Sequence, residues 1–103
     1  MELYAWGLGD YGALGIGEFK SKSVPTKVDL PINIIAGLKQ FSCGAMHTSF
    51  VTEEGDTYMC GSNEYGELGI KKPEKISSPI PISFHVKVQQ ASCGVFYTLL
   101  LTK

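Results

Sequence analysis

The apolar residues of this chain fall in short β-branched and aromatic runs that glycine and proline interrupt. Residues 48–52 and 57–60 form two such runs, and the four residues between them include Gly55. Two runs joined by a short glycine-bearing turn predict an antiparallel β-hairpin. Similar runs at 3–6 and 97–102 predict further strands. Twelve glycines leave no long stretch of helical period, so the pattern predicts an all-β fold.

Two other stretches, each placed just after a proline, alternate apolar and polar side chains as half-buried outer strands do. They are residues 27–30 and 81–84. A proline suits the edge of a sheet because it cannot donate a ladder hydrogen bond. Residues 39–42 and 86–89 are predicted as short strands as well, which places His85 at a strand edge.

The chain also repeats itself. Residues 4–16 return as residues 58–70, with the shared pattern Gly-x-x-x-x-Gly-x-Leu-Gly, and residues 42–48 return as residues 92–98, with the shared pattern Ser-Cys-Gly-x-x-His/Tyr-Thr. The second copy is a few residues shorter between the two patterns. Self-similarity at about 50 residues is typical of propeller blades and solenoid units. One such unit cannot bury its own apolar faces, so neighbouring units must pack together.

The repeat divides the chain into residues 1–52 and residues 53–103. The first predicted strand lacks the hairpin partner that precedes its counterpart in the second copy, and the last predicted strand lacks the partner that follows its counterpart. Two unpaired strand edges favour aggregation unless something covers them. We therefore expect either further blades beside this segment or copies of the chain joined head to tail.

The two shared patterns resemble the repeat of the regulator of chromosome condensation family over essentially the whole chain. The second copy departs from the pattern at Cys60, where the first has Trp6, and at Tyr97, where the first has His47. The resemblance implies two blades of a β-propeller with four-stranded antiparallel blades, forming an incomplete ring. It also implies positive φ at three pairs of loop glycines, which are Gly7 and Gly61, Gly12 and Gly66, and Gly15 and Gly69. The paired side chains Leu14 and Leu68, with Ile16 and Ile70, are expected to fill the spaces between blades.

Charge and cysteine content exclude several function classes. The formal net charge is −1, from 9 basic and 10 acidic residues without a Lys/Arg cluster, so this segment is not expected to bind nucleic acid. No signal peptide or apolar run of membrane length is present, which predicts an intracellular protein, cytoplasmic or nuclear, without membrane contact. Cys43, Cys60 and Cys93 form no Cys-x-x-Cys pair. We interpret them as small buried apolar residues in a reducing compartment and expect no metal or cofactor.

Catalytic chemistry has little support in the sequence. In family members that act as exchange factors for the Ran GTPase, the resemblance implies working acids and imidazoles after the glycine of Gly-x-x-His. Here that segment is residues 45–47 and residues 95–97, and neither contains a carboxylate. Only His47 carries over, and its ordinary interpretation is a hydrogen bond to blade backbone. Residues 7–12 match Gly-x-Gly-x-x-Gly, but no helix follows, so we reject a dinucleotide site. We expect no catalytic residue and no enzyme activity.

Aromatic and sulfur-containing side chains at matching loop positions are the better candidates for function. The predicted protein-binding residues are Met46, His47, Phe96, Tyr97, Tyr11 and Tyr65, since aromatic residues and Met are enriched in interface cores. The leading hypothesis is a non-catalytic scaffold segment that binds a protein through one rim of the propeller. One alternative is part of a guanine nucleotide exchange factor for a Ran-like small GTPase. Another is a homo-oligomer, in which three copies close six blades or four copies close eight.

Overall fold

The computed structural model describes residues 1–71 and 74–103, and in these ranges it holds eight β-strands and one turn of helix. The strands are β1 (Tyr4–Gly7), β2 (Lys22–Lys27), β3 (Leu38–Cys43), β4 (His47–Thr52), β5 (Thr57–Ser62), β6 (Lys75–Pro81), β7 (Val88–Cys93) and β8 (Thr98–Thr102). They form three antiparallel sheets, ordered β1-β2, β3-β4-β5-β6 and β7-β8. The predicted all-β fold with four-stranded antiparallel blades is confirmed, as a central blade (β3 to β6) between two half-blades.

The boundaries of the sequence repeat do not coincide with the boundaries of the structural blade. The central blade takes β3 and β4 from the first copy of the repeat and β5 and β6 from the second. The first half-blade, β1 and β2, is the counterpart of β5 and β6, and the last half-blade, β7 and β8, is the counterpart of β3 and β4. The predicted boundary between residues 52 and 53 falls at the end of β4, inside the central blade. Each copy of the repeat therefore links two neighbouring blades.

The hairpin predicted at residues 48–52 and 57–60 is present as β4 and β5. Their register pairs Thr48 with Cys60 and Phe50 with Tyr58. Gly55 closes the turn with a φ of 89°, a left-handed conformation that glycine adopts without a steric cost. Every residue of β4 is buried, because β4 has a strand on each side and the last half-blade against one face.

The outer strands lie earlier in the chain than predicted. Residues 27–30 and 81–84 were expected to be strands, but the structure places β2 and β6 mostly before them. The pairing of β1 with β2 runs from Gly7 opposite Lys22 to Tyr4 opposite Lys27, so strand residues lie on both sides of Pro25. The proline is tolerated because, in the part of the chain that the structure describes, β2 has a partner strand on one side alone.

The connection from β6 to β7 also differs from the prediction. The strand expected at residues 86–89 begins only at Val88, and His85 lies in a bend, with its ring centroid 4.7 Å from that of Phe84. The β4–β5 turn holds this connection, since the Val88 N–H donates to the Gly55 carbonyl at 2.9 Å and Lys87 Nζ lies 2.8 Å from Asp56 Oδ1. His85 is therefore not a strand-edge residue.

A single helical turn, α1 (Ile32–Ala36), was not predicted. Pro31 precedes it with a φ of −52°, which is pre-organised for a helix start. Ile34 and Ile35 are buried, whereas Ile32 is 83% exposed. A five-residue helix is too short to show a period in the sequence, which is why the glycine-rich pattern concealed it.

The core lies between the central blade and the last half-blade. Val51 of β4 packs with Val88 and Ala91 of β7, and Leu100 joins them from β8. All six loop glycines for which positive φ was expected have it. The matched leucines of the two loops, Leu14 and Leu68, are buried, while Ile16 and Ile70 are half-buried.

The cysteines do not share one environment. Cys60 is buried and Cys93 is half-buried, in line with the expectation of small apolar residues. Cys43 is exposed, so the prediction that it is buried is wrong. The two side chains differ in exposure because a neighbouring blade covers one and not the other. Cys93 faces Ser49 of the central blade, with Sγ 3.4 Å from Oγ, whereas Cys43 lines an open cleft beside the first half-blade.

Candidate functional site

The candidate site lies at one end of the blades. Because neighbouring strands run antiparallel, the loops that follow β1, β3, β5 and β7 emerge at the same end, and we call this end the loop rim. The loop after β3 (residues 44–46) and the loop after β7 (residues 94–97) are short. All six residues predicted to bind protein lie in the four loops of this rim or at the first position of β4.

The Cys-Gly-x-x-His/Tyr pattern builds the two short loops. The Gly44 N–H donates to the His47 carbonyl at 2.7 Å, and the Gly94 N–H donates to the Tyr97 carbonyl at 2.8 Å. A Cβ on Gly44 would lie 2.5 Å from Cε1 of the His47 ring, and a Cβ on Gly94 would meet the Tyr97 ring. Glycine is therefore needed because an aromatic ring occupies the space where its side chain would be.

His47 joins the central blade to the last half-blade. Its side chain is completely buried, and Nε2 lies 2.9 Å from Thr98 Oγ1 and 3.1 Å from the Tyr97 carbonyl oxygen. The Thr98 hydroxyl donates to the Glu67 carbonyl at 2.7 Å, so it accepts from Nε2. Two acceptors at Nε2 require the tautomer that carries its proton there. This is the backbone hydrogen bond given above as the ordinary interpretation of His47.

The buried imidazole is held in the neutral form. Burial lowers the pKa of His47, and the hydrogen bond to Tyr97 and the charge of Glu67 offset only part of that effect. Its Nδ1 atom is buried without a hydrogen-bond partner among the described residues. Nδ1 also lies where a Cβ of Gly44 would be only 2.7 Å away. His47 is thus closed off from any molecule on the rim and cannot act as an acid or a base there.

Several residues that join the blades were missed in the sequence. Thr48 Oγ1 donates to the Ala13 carbonyl at 2.7 Å, which is the counterpart of the bond from Thr98 Oγ1 to the Glu67 carbonyl. Both threonines end the shared Ser-Cys-Gly-x-x-His/Tyr-Thr pattern, and that recurrence was the available signal. The Glu67 carboxylate is buried as well: Oε1 accepts the Tyr65 N–H at 2.8 Å, and Oε2 has no described partner.

Side chains of β3 supply a second set of contacts to the last half-blade. The Gln40 amide donates to the Ala91 carbonyl at 2.7 Å and accepts the Ala91 N–H at 3.2 Å. Ser42 Oγ accepts the Cys93 N–H at 3.1 Å. These side chains satisfy backbone groups of β7 that have no partner strand on that side. The blades are therefore joined by directed polar bonds as well as by apolar packing.

Exposed aromatic side chains remain on the loop rim. Tyr65, in the loop after β5, is 64% exposed and Phe96, in the loop after β7, is 45% exposed. Their ring centroids are 4.9 Å apart with an interplanar angle of 53°, a favourable tilted geometry. Val95 and Tyr97, the chain neighbours of Phe96, are exposed too. We call these four residues the aromatic cluster, which spans the central blade and the last half-blade.

The structure does not bring all six predicted residues together. Tyr65 and Phe96 are in ring contact and Tyr97 follows Phe96 in the chain, but His47 is buried. Met46 is half-buried, and its carbonyl accepts the Ser62 N–H at 2.7 Å. Tyr11 is exposed in the loop after β1, and no ring contact joins it to another aromatic residue of the described chain.

The described residues offer little reactive chemistry. Within residues 1–71 and 74–103, no group of three or more His, Cys, Asp or Glu side chains is placed to hold a metal ion. Burial raises the pKa of Cys60 to about 12 and also raises that of Cys93, so both thiols stay protonated at neutral pH. No helix in these ranges has the length and apolar character to cross a membrane.

Comparison with known proteins agrees with the architecture. A profile of the regulator of chromosome condensation (RCC1) repeat matches residues 2–51 and 54–101. The ultraviolet-B receptor UVR8 of Arabidopsis thaliana is 34% identical over 107 residues, which span 100% of this chain and 23% of that protein. The secretion-regulating guanine nucleotide exchange factor of Bos taurus is 33% identical over 104 residues, spanning 98% of this chain and 22% of that protein.

Solved structures give the same result for the fold. The crystal structure of Prp20p from Saccharomyces cerevisiae matches with a TM-score of 0.87 at 22% identity, covering 99% of this chain and 27% of that one. Human WBSCR16 matches with a TM-score of 0.82 at 25% identity, again covering 99% of this chain and 27% of the other. The chain thus spans about a quarter of the length of the proteins it resembles.

Proposed function

The chain belongs to the regulator of chromosome condensation repeat family, and from this premise we propose that it is a non-catalytic, protein-binding segment of a β-propeller. The aromatic cluster on the loop rim is the binding surface. The observation that carries the proposal is the contact between Tyr65 and Phe96, which are both exposed and come from different blades. A partner that covers this pair touches two blades at once.

The chemistry of the rim supports binding over catalysis. Exposed Tyr and Phe side chains are typical anchors of protein interfaces, because they bury a large area at a small cost in conformational entropy. The His47 imidazole and the Glu67 carboxylate, which lie near the cluster, are buried within the fold. These two groups are therefore closed to a partner on the rim, and the cluster presents apolar contact area.

Relatives supply candidate partners. The work on Prp20p concerns its binding to Gsp1p and to histones, and the bovine relative is named a guanine nucleotide exchange factor. We propose a protein partner of this kind for the present chain, with a small GTPase as the first to test. The alternative, that these blades take part in nucleotide exchange, predicts accelerated release of nucleotide from that GTPase.

A photocrosslinking experiment tests the binding surface. In the full-length protein, Phe96→p-benzoylphenylalanine is expected to crosslink to a discrete partner on irradiation, and Tyr65→Ser is expected to weaken that crosslink at least several-fold. Ile32→p-benzoylphenylalanine is the matched control, because Ile32 is 83% exposed but lies on α1 at the opposite end of the blades. Equal crosslinking from both positions, or none from position 96, contradicts the proposal.

Nucleotide release separates binding from exchange. A Ran-type GTPase loaded with fluorescent GDP is mixed with the full-length protein and with its Phe96→Ser variant. If the aromatic cluster only binds, Phe96→Ser lowers the affinity but leaves the release rate at saturating protein unchanged. A fall in the saturating rate would assign part of an exchange activity to these blades and overturn the non-catalytic assignment.

A further inference from the structure

The outer strand of the central blade carries a serine directly before a proline. The chain has five prolines, and Ser78-Pro79 is the one place where a Ser or Thr precedes a proline. Ser78 is exposed on β6. The central blade already holds four strands, and β6 is its outer strand. The position of this serine is therefore set by the blade itself.

The strand departs from regular pairing at this point. The register places Ile76 opposite Gly61 and Ile80 opposite Met59, so residues 77–79 face a single residue of β5. A bulge of this kind leaves its extra residues outside the ladder and bends the strand. The proline within it has no N–H to donate, which removes a further ladder bond. The serine thus lies in an extended, weakly paired stretch, the form in which protein kinases bind their substrates.

The fold does not require a hydroxyl at this position. The counterpart of Ser78 in the first copy of the repeat is Val24 of β2, which is followed by Pro25 and is 62% exposed. The proline recurs in both copies, in line with its place on an outer strand, whereas the serine does not. The hydroxyl of Ser78 is therefore free for a role other than building the blade.

We propose that Ser78 is a phosphorylation site of a proline-directed serine/threonine kinase, and that its phosphate loosens the contact between β6 and the loop after β1 (residues 8–21). In this reaction Ser78 Oγ attacks the γ-phosphorus of Mg²⁺-bound ATP, and the bond from that phosphorus to the bridging oxygen breaks as ADP leaves. The proton of the hydroxyl passes to a catalytic aspartate of the kinase.

The loop after β1 lies directly against the proposed site. The Gly17 N–H donates to the Ser77 carbonyl at 2.8 Å, and Ser78 Oγ lies 3.5 Å from the place that a Cβ on Gly17 would take. Earlier in the same loop, a Cβ on Gly12 would collide with the Ile76 carbonyl. The loop is therefore packed closely on β6, and a phosphoryl group on the serine is added beside its backbone.

The charges around the site favour release of the loop. A phosphoserine carries a charge of about −1.5 to −2 at neutral pH. Glu18, the residue after the glycine that contacts β6, is also negative and pairs with Lys22 within the loop at 3.1 Å. Lys75 of β6 holds the loop through its Nζ, which lies 4.3 Å from the centre of the Phe19 ring. The phosphate repels the Glu18 carboxylate and competes with the ring for Lys75, since a charge-assisted hydrogen bond is stronger than an exposed cation–π contact.

Phosphopeptide mapping tests the site. The natively folded full-length protein is incubated with a purified proline-directed kinase, Mg²⁺ and ATP, and mass spectrometry locates the phosphate in the tryptic peptide of residues 76–87. Phosphate is expected on Ser78, at a rate within several-fold of that for a synthetic peptide of the same residues. Ser78→Ala is expected to abolish it, whereas Ser77→Ala, the matched control at the neighbouring serine, is expected to retain it.

Two results of this mapping overturn the proposal. One is phosphorylation of the synthetic peptide without phosphorylation of the folded protein, which would show that β6 is closed to the kinase. The other is an equal rate for Pro79→Ala, made in the peptide as well as in the protein, because a proline-directed enzyme must lose most of its rate there. Far-UV circular dichroism shows whether each protein variant keeps its strands.

Hydrogen exchange measures the effect on the loop. Amides of residues 8–21 are expected to exchange several-fold faster in the phosphorylated protein than before treatment, because the loop opens more often. Ser78→Ala treated with the same kinase is the control and is expected to show no change. Equal exchange rates at full phosphorylation of Ser78 contradict the loosening of the loop. These variants leave Tyr65 and Phe96 unaltered, so either failure leaves the proposed binding function of the rim untouched.

Discussion

Replacing Gly44 by alanine tests whether the glycine of the Cys-Gly-x-x-His pattern exists to make room for the histidine. The Cβ of an alanine there would lie 2.5 Å from His47 Cε1 and 2.7 Å from Nδ1, and it would also meet the carbonyl oxygen of Gly94. The glycines with positive φ do not include Gly44. Alanine is thus compatible with the backbone at this position, and the whole penalty is steric.

The expected cost follows from what must move. Overpacking a site where neighbours cannot yield costs about 1–3 kcal/mol. If the His47 ring shifts to relieve the contact, it loses its hydrogen bonds to Thr98 and Tyr97, each of which contributes about 1 kcal/mol. The carbonyl of Gly94 is backbone and cannot rotate away. We therefore expect Gly44→Ala to lower the free energy of unfolding by about 2–4 kcal/mol.

Urea titration at a fixed protein concentration, followed by circular dichroism, measures this loss. For a domain of this size the expected cost moves the unfolding midpoint down by roughly 1–3 M urea. Gly37→Ala is the matched control, because Gly37 has a φ of −101° and its Cβ would lie at an ordinary 3.5 Å from the Asn33 carbonyl oxygen. That control should change stability by no more than about 1 kcal/mol. Equal midpoints for the two variants would refute the reasoning.

Three further predictions concern buried groups. Because burial lowers the pKa of His47, the unfolded chain binds a proton that the folded chain does not, and the free energy of unfolding should fall as the pH drops below about 6.5, by up to about 1.4 kcal/mol per pH unit. In urea titrations between pH 7.5 and 5, His47→Gln should remove the contribution of His47 to this pH dependence. An unchanged pH dependence in the variant contradicts the prediction. Thr98→Val should lower the free energy of unfolding by about 1 kcal/mol more than Thr48→Val does. The reason is that the Thr98 hydroxyl donates to the Glu67 carbonyl and accepts from His47 Nε2, while the Thr48 hydroxyl donates to the Ala13 carbonyl. Equal urea midpoints for the two variants would argue against this prediction. Burial raises the pKa of Cys60 to about 12, so iodoacetamide at pH 8 should not alkylate its thiol until the chain unfolds. Alkylated Cys60 found by mass spectrometry of labelled native protein would contradict this prediction.

The elements that were predicted well are those whose cause is local. The β4–β5 hairpin depends on two β-prone runs and on Gly55, all within a dozen residues of one another, and the positive φ of the loop glycines depends on the turns in which they lie. Repetition strengthened these predictions, because a turn that occurs twice is unlikely to be accidental. Local turn chemistry and the repeat were enough to predict the all-β class, whereas the propeller and the positive φ of the loop glycines were implied by the resemblance to the repeat family.

The features that were missed depend on what lies beside a strand in space. Nothing in the sequence distinguishes Cys43 from Cys93, yet one faces a cleft and the other faces Ser49. The bonds of Gln40 to Ala91 join residues that are far apart in the chain, and they exist only because one blade packs on the next. The outer strands were misplaced since edge strands carry little burial signal, and α1 was too short to show a period.

A comparison of the two copies separates residues that build the fold from residues that are free to vary. In the pattern Ser-Cys-Gly-x-x-His/Tyr-Thr, the glycines and threonines agree between copies and make the same contacts in both: each glycine makes room for a ring, and each threonine bonds to the loop of the preceding blade. The copies differ at residues 45–47 and 95–97. Ala and Met of the first copy are replaced by Val and Phe in the second, and these exposed side chains belong to the aromatic cluster. A side chain without an obligatory partner in the next blade can change in this way without loss of the fold. Binding specificity in this chain is therefore expected at Val95 and Phe96.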